Sequence, residues 1–286
     1  MPYRGATTAN SGIGNMLQTK INYFWRLIAT GFCFFMFGLG ALVLTLFIFP
    51  SLYLFNSEKR GQLARRAIQI SFSMFLWLMQ TCGVLKLEIK NKERLNQHKN
   101  ALILANHPTL IDVIAIIGQI PNANCIVKQD LWKNPFVGMV VRTANYINNS
   151  ESEMLIEECA RNLQAGNPLV IFPEGTRSKL GNKLKFKRGA AYIAINSEVP
   201  IVLIVITCTP PTLAKGEKWY TIPPRKAHLI VDVQSPISVS ELSTNVDGQP
   251  FTARQLTKIL EEYFTEAISI YGSTVSGNQT THYPIS

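Results

Sequence analysis

The segment Asn106-His107-Pro108-Thr109-Leu110-Ile111-Asp112 sets a histidine and an aspartate five positions apart, directly after the apolar run Ala101-Leu102-Ile103-Leu104-Ala105. A buried strand ending at His107 lifts the imidazole to the rim of a sheet, and a turn entering a helix near Asp112 folds the carboxylate back onto the ring. Such a pair has the chemistry of a general base. The carboxylate fixes the tautomer and steadies the imidazolium, and the other ring nitrogen is left to take a proton from a hydroxyl. Alone, the same spacing also describes a turn hydrogen bond, so a second cluster matters.

That cluster is Phe172-Pro173-Glu174-Gly175-Thr176-Arg177-Ser178, again after an apolar run, Pro168 to Phe172, that reads as a short buried strand. Ligands of open α/β sheets bind beyond the carboxyl ends of strands, where two such clusters converge on one crevice. Gly175 permits close backbone approach, Arg177 offers a planar fork for phosphate, and Glu174 orients a hydroxyl or the arginine. The alternative is a strand-ending turn with a surface ion pair.

Taken together, the two clusters resemble the N-H-x4-D and F-P-E-G-T-R motifs of the glycerolipid acyltransferase family, best known from the 1-acylglycerol-3-phosphate acyltransferases. The resemblance extends to Lys128-Gln129-Asp130-Leu131 with Pro135 and Gly138, to Phe186-Lys187-Arg188-Gly189-Ala190, and to Val199-Pro200-Ile201-Val202. It implies transfer of a fatty acyl group from a thioester, acyl-CoA or acyl-carrier protein, to a lysolipid hydroxyl, with 1-acylglycerol-3-phosphate becoming phosphatidate. His107 and Asp112 are then the catalytic pair, and Glu174, Gly175, Thr176, Arg177, Lys128 and Lys187 bind substrate. The thioester is a co-substrate, so neither a cofactor nor a metal is expected. Attack of an alcohol on a thioester needs one base, an anion clamp and donors for the developing oxyanion. No G-x-S-x-G elbow is present, and neither cluster contains an obvious Ser or Cys nucleophile, which favours direct attack in a ternary complex. Two departures stand out. Where family members commonly carry Ile-Asp-Arg, this chain has Ile147-Asn148-Asn149, and Leu203 replaces a frequent second proline. The missing arginine at Asn149 keeps an acceptor without phosphate open as an alternative, beside a catalytically idle lipid- or carrier-binding module.

Residues Leu27 to Pro50 hold no charged side chain, and at about 1.5 Å per residue this run is long enough for a hydrocarbon core of about 30 Å. A second uncharged stretch, Ala67 to Leu85, is interrupted by Gln69, Ser71, Ser73, Gln80 and Thr81, and is read as spanning, re-entrant or interfacial. Basic residues flank the first stretch on both sides, leaving the positive-inside rule undecided between a hairpin in one leaflet and two crossings. The net charge of +10 suits anionic lipid, CoA or carrier-protein partners, because Arg177, Lys179, Lys183, Lys185, Lys187 and Arg188 fall in a stretch without acids. No nucleic-acid motif is present, so nucleic acid is not an expected partner. The five cysteines lack metal or disulfide spacing and suit a reduced, cytoplasm-facing domain, on an inner membrane in a bacterium. His98, His228 and His282 are read as surface or local structure.

The expected fold is α/β, a mixed, mostly parallel sheet flanked by helices behind a membrane-anchoring helical segment. Strands are expected at 85–89, 101–105, 125–127, 169–172, 201–206 and 229–233. Helices are expected at 111–120, at 150–164 with a Ser150–Glu153 capping box and a core stripe of Met154, Leu155, Cys159 and Leu163, and at 252–271. The segment 210–224, rich in Pro, Trp and Tyr, reads as a long loop. The divisions are a polar segment 1–26, anchoring helices 27–85, an acyltransferase domain 86–271 and a flexible tail 272–286.

Overall fold

The structure is a computed structural model that describes residues 7–97, 99–134, 137–149, 153–178, 183–243 and 251–275. His98, Pro135, the Ser150 end of the capping box, Lys179, His282 and the tail beyond Val275 lie outside the described residues.

The strands are β1 (Leu85–Lys90), β2 (Leu102–Ala105), β3 (Asn124–Lys128), β4 (Ile147–Asn149), β5 (Leu169–Ile171), β6 (Ile201–Thr209) and β7 (Ala227–Val233). They form one sheet in the order β1-β7-β6-β2-β5-β3-β4, parallel at every pairing except β6 with β7. The mixed, mostly parallel sheet follows from strands buried on both faces. Along β2, Leu102 and Leu104 join one core while Ile103 and Ala105 join the other, so a continuous apolar run satisfies both layers. β4 was not expected; it is held at the edge by pairing Ile126 with Ile147 and Lys128 with Asn149.

The longer helices are α1 (Thr7–Val43), α2 (Ser57–Thr81), α3 (Asp112–Ile117), α4 (Gln129–Lys133), α5 (Gly138–Thr143), α6 (Glu153–Gln164), α7 (Gly189–Ser197) and α8 (Ala253–Val275). The core on one face of the sheet is completed by residues of α2, α3 and α5, the other by α6, α7 and α8. The stripe expected in α6 is correct at Cys159 and Leu163, but Met154 is 71% exposed, because it lies on the opposite face of the helix. α8 runs on to Val275, past the expected start of the tail.

α1 continues through a π-helical turn, Leu44–Ile48, and short turns to Leu54. Within it, Gln18–Leu54 is a 37-residue stretch long and apolar enough to cross a membrane, and only 11% of its most apolar window is buried in the protein. Phe24, Ile28, Phe35 and Phe47 are among its exposed side chains. Among the described residues it is the one such helix, so of the three readings of 67–85, spanning, re-entrant or interfacial, the spanning one finds no support. α2 is a helix of the domain layer. Ala64, Ile68, Phe75, Leu76 and Met79 are buried, while Ile70, Met74 and Trp77 form an exposed stripe. The polar residues that interrupt the stretch include docking contacts: Ser73 Oγ donates to Gly118 O at 2.6 Å, and Leu87 N donates to Gln80 Oε1 at 3.3 Å. α1 leans on α2 through Phe37 and Phe75, whose rings lie 4.5 Å apart.

The amino end of α2 is pinned by Arg65, a buried cation without a carboxylate partner among the described residues. It donates to Asn122 Oδ1 at 2.7 Å, Ala144 O at 2.8 Å and Asn167 Oδ1 at 3.3 Å, all beside the amino ends of β3, β4 and β5. Replacing Arg65 with Met strands these acceptors. We expect a loss of about 2–4 kcal/mol and a drop of roughly 4–10 °C in thermal unfolding of the detergent-solubilised chain. An unchanged melting temperature would show that α2 is held by its apolar face alone.

Candidate active site

β2 ends beside the longer strand β6, and Asn106 extends the pairing with its side chain. Its amide donates to Ile206 O at 2.8 Å and its carbonyl accepts from Ile206 N at 2.7 Å, both buried. The chain therefore leaves the sheet at a fixed point, and His107 is the first residue beyond it.

His107 is braced at both backbone groups from the second cluster. Its N–H donates to Glu174 Oε1 at 2.8 Å, and its carbonyl accepts from Ser178 N at 2.9 Å. The ring rests against Phe172, with centroids 4.5 Å apart. Nδ1 lies 2.9 Å from Asp112 Oδ2. With a carboxylate accepting there, the proton is assigned to Nδ1 and the lone pair to Nε2.

Asp112 has no solvent exposure, yet it opens α3 and receives further donors from Thr109. Thr109 N reaches Oδ2 at 2.6 Å and Thr109 Oγ1 reaches Oδ1 at 2.5 Å. Burial pushes the Asp112 carboxyl above the usual aspartate range, and the bonds from His107 and Thr109 oppose that shift. Burial likewise raises Glu174, against the bond from the His107 amide. Glu174, expected to orient a hydroxyl or Arg177, thus holds the histidine backbone instead.

Gly175 adopts φ +69°, where a side chain is strained, and a Cβ there would lie 3.0 Å from Lys187 Cε. The bare turn is therefore the seat of the Lys187 side chain, and Lys187 N donates to Pro173 O at 2.8 Å. Thr176 is exposed in the same turn. Arg177 reaches across to the 210–224 loop, where Nη1 donates to Leu213 O at 3.0 Å and Ala214 O at 3.1 Å. His107, Asp112, Glu174, Gly175, Arg177 and Lys187 are thus brought to one place. Lys128 is not: it ends β3, two strands from β2 and so about 9–10 Å along the sheet edge, and Asn149 is one strand further.

Residues 86–207 match the family model described as Acyltransferase. These residues form an acyltransferase domain. The resemblance to the glycerolipid acyltransferases is borne out by relatives named 1-acyl-sn-glycerol-3-phosphate acyltransferase. One from Cocos nucifera is 35% identical over 148 residues, covering 49% of this chain and 47% of that protein. Another from Helicobacter pylori is 38% identical over 113 residues, covering 36% of this chain and 48% of that protein. The chain thus spans about half the length of these curated relatives. A crystal structure of a 1-acyl-sn-glycerophosphate acyltransferase from Thermotoga maritima shares the fold, with TM-score 0.63 and 22% identity, covering 92% of this chain and 100% of that one.

Several contacts of this acyltransferase domain were not legible beforehand. Thr109 had a local signal, a hydroxyl three residues before an acid at a helix start. Cys208 had none: β6 brings it near Asp112, where burial pushes its thiol up to about 12, so it stays protonated and is no nucleophile at neutral pH. Leu110, 45% exposed, gives the turn between His107 and Asp112 an apolar edge. We expect Thr109→Val, which keeps the shape but removes the donor to Oδ1, to lower kcat about tenfold by loosening Asp112. Thr109→Ser should restore most of the rate in steady-state assays.

Proposed function

We propose that the protein transfers a fatty acyl group from acyl-CoA or acyl-carrier protein to the hydroxyl of a lysolipid, with 1-acylglycerol-3-phosphate as acceptor and phosphatidate as product. The observation that carries this reading is the His107–Asp112 pair at 2.9 Å, set at the rim of the sheet with a turn bearing Arg177 and Lys187 against it. His107 Nε2 takes the proton of the acceptor hydroxyl as its oxygen attacks the thioester carbonyl. The tetrahedral intermediate collapses, the carbon–sulfur bond breaks, and the thiolate leaves with the proton returned from the imidazolium. Asp112 steadies that imidazolium and stays ionised. The names of the relatives support the acceptor class, and the half-buried Cys208, whose thiol is pushed up to about 12, supports attack without an acyl-enzyme.

The same reading places the protein in a membrane by Gln18–Leu54, with the exposed stripe of Ile70, Met74 and Trp77 at the interface. Five free cysteines favour a domain on the reducing, cytoplasmic side. A second reading, an acceptor without phosphate, rests on Asn149 standing where the family commonly has arginine.

His107→Ala should cut transfer at least 10²–10⁴-fold in purified protein without changing its folding or its membrane extraction, and Asp112→Asn should come close by favouring the wrong tautomer. Near-normal turnover by the alanine variant would remove His107 from the chemistry. Washing membranes with carbonate at high pH should leave the full-length chain in the pellet, whereas release into the supernatant would make the attachment peripheral.

A further inference from the structure

The long connection from β6 to β7 crosses the end of the sheet where His107 stands, and one turn of it is tied to the site. Leu213 O accepts from Leu110 N at 3.0 Å as well as from Arg177. Ala214 O accepts both Arg177 Nη1 and Glu217 N, each at 3.1 Å, which closes a β-turn over residues 214–217. Gly216 at φ +91° supplies the left-handed third position of a type II turn, and Lys215 occupies the second. Leu213 and Ala214 are buried, so the turn is held from beneath while the Lys215 side chain is exposed.

Lys215 therefore follows directly after a carbonyl bonded to Arg177. Lys215 forms no ion pair among the described residues. The acid nearest in sequence, Glu217, directs its carboxylate to Ala214 N at 2.9 Å. Lys187 approaches the same Glu174–Gly175 turn from the β5 side. Three cations thus surround a site whose own carboxylates, Asp112 and Glu174, are buried.

We propose that Lys215 is a phosphate-binding residue of this site, completing with Arg177 and Lys187 a clamp for the phosphate of the lipid acceptor or of the CoA donor. This rests on the acyl-transfer reading above. Lys215 is close enough to Glu174 for its charge to counter the upward shift that burial imposes on that carboxyl. The clamp lies at the β5–β2–β6 part of the sheet edge, whereas Asn149 lies at the β4 edge. The charge missing at Asn149 is thereby replaced from the other flank of His107.

The test uses the full-length chain in detergent micelles as wild type, Lys215→Ala, Lys215→Arg and Lys218→Ala, the last carrying a neighbouring lysine that lies over the Tyr220 ring. One arm compares kcat/KM for lysophosphatidate with that for monoacylglycerol, a second compares acyl-CoA with acyl-pantetheine, and a third measures equilibrium binding of lysophosphatidate without turnover. Lys215→Ala should lower the phosphate preference in one of the first two arms about three- to tenfold through KM, with Arg restoring it and Lys218→Ala leaving the ratio unchanged. A fall in the first arm together with weaker binding assigns the clamp to the acceptor, and a fall in the second alone assigns it to the donor. Unchanged ratios with unchanged binding would overturn the proposal, as would an equal effect of Lys218→Ala. Should wild type transfer to neither acceptor, binding alone decides the lysine: weaker binding by Lys215→Ala supports it while the transfer reading fails, and equal binding overturns both.

Discussion

A carboxylate with no access to water has to be met by donors from its own surroundings, and Asp112 is in that position. Its two oxygens take the His107 ring, the Thr109 amide and the Thr109 hydroxyl. These partners sit five and three residues before it, so one tight turn both satisfies the buried charge and aims the imidazole. The apolar alternative, a simple strand-to-helix turn, would leave the ring free to rotate. Desolvation thus supplies the rigidity that a general base needs: any departure of His107 from its place leaves the buried Oδ2 with the Thr109 amide as the one remaining of these donors.

The turn would still be free to swing as a unit were it not fixed from both sides. Asn106 locks its start to β6, and Glu174 and Ser178 grip the His107 backbone from the loop after β5. Arg177 then ties that loop to the 210–224 connection, which also bonds Leu110. The loops after β2, β5 and β6 therefore close into one network at the carboxyl ends of three adjacent strands. That explains why the F-P-E-G-T-R segment has so many polar residues in so short a space: Glu174 and Arg177 each hold backbone of a neighbouring loop.

Most of the sheet was legible because its central strands are short continuous apolar runs bounded by turns, and the two polar clusters follow directly on such runs. What was missed has physical reasons. β4 is two asparagines after an isoleucine, with poor strand propensity, and exists through its pairing with β3. The helix α2 read as an interrupted apolar stretch because its polar residues have partners outside the helix: Ser73 meets Gly118, 45 residues on, and Gln80 meets Leu87 in the strand that follows. The exposure of Met154 depends on which face of α6 meets the sheet, a choice that a four-residue apolar stripe leaves open. The Arg177 contact with Leu213 and Ala214 joins residues 36 and 37 positions apart and left no local signal.

The position of the long helix relative to the site follows from a few contacts at one end of the sheet. Trp25 Nε1 donates to Cys82 O at 3.1 Å, Arg26 Nη2 donates to Pro224 O at 2.9 Å, and Gly31 faces the Trp219 ring. All three touch segments that enter or leave β1 and β7 at the edge where β2 delivers His107. The apolar stretch of 37 residues is about 55 Å long as a helix, well beyond a hydrocarbon core of about 30 Å, so its length does not set how deep it sits. In the proposed membrane-anchored arrangement, depth would be set instead by where the protein grips the helix, near Trp25 to Gly31, and by Tyr23 and Trp25, residue types that favour the headgroup level. Gripping the helix there holds the sheet edge at the same level. On the proposed reaction at a lipid hydroxyl beside its headgroup, the helix would be a spacer as well as a tether, bringing the imidazole to the depth at which the acceptor presents its oxygen.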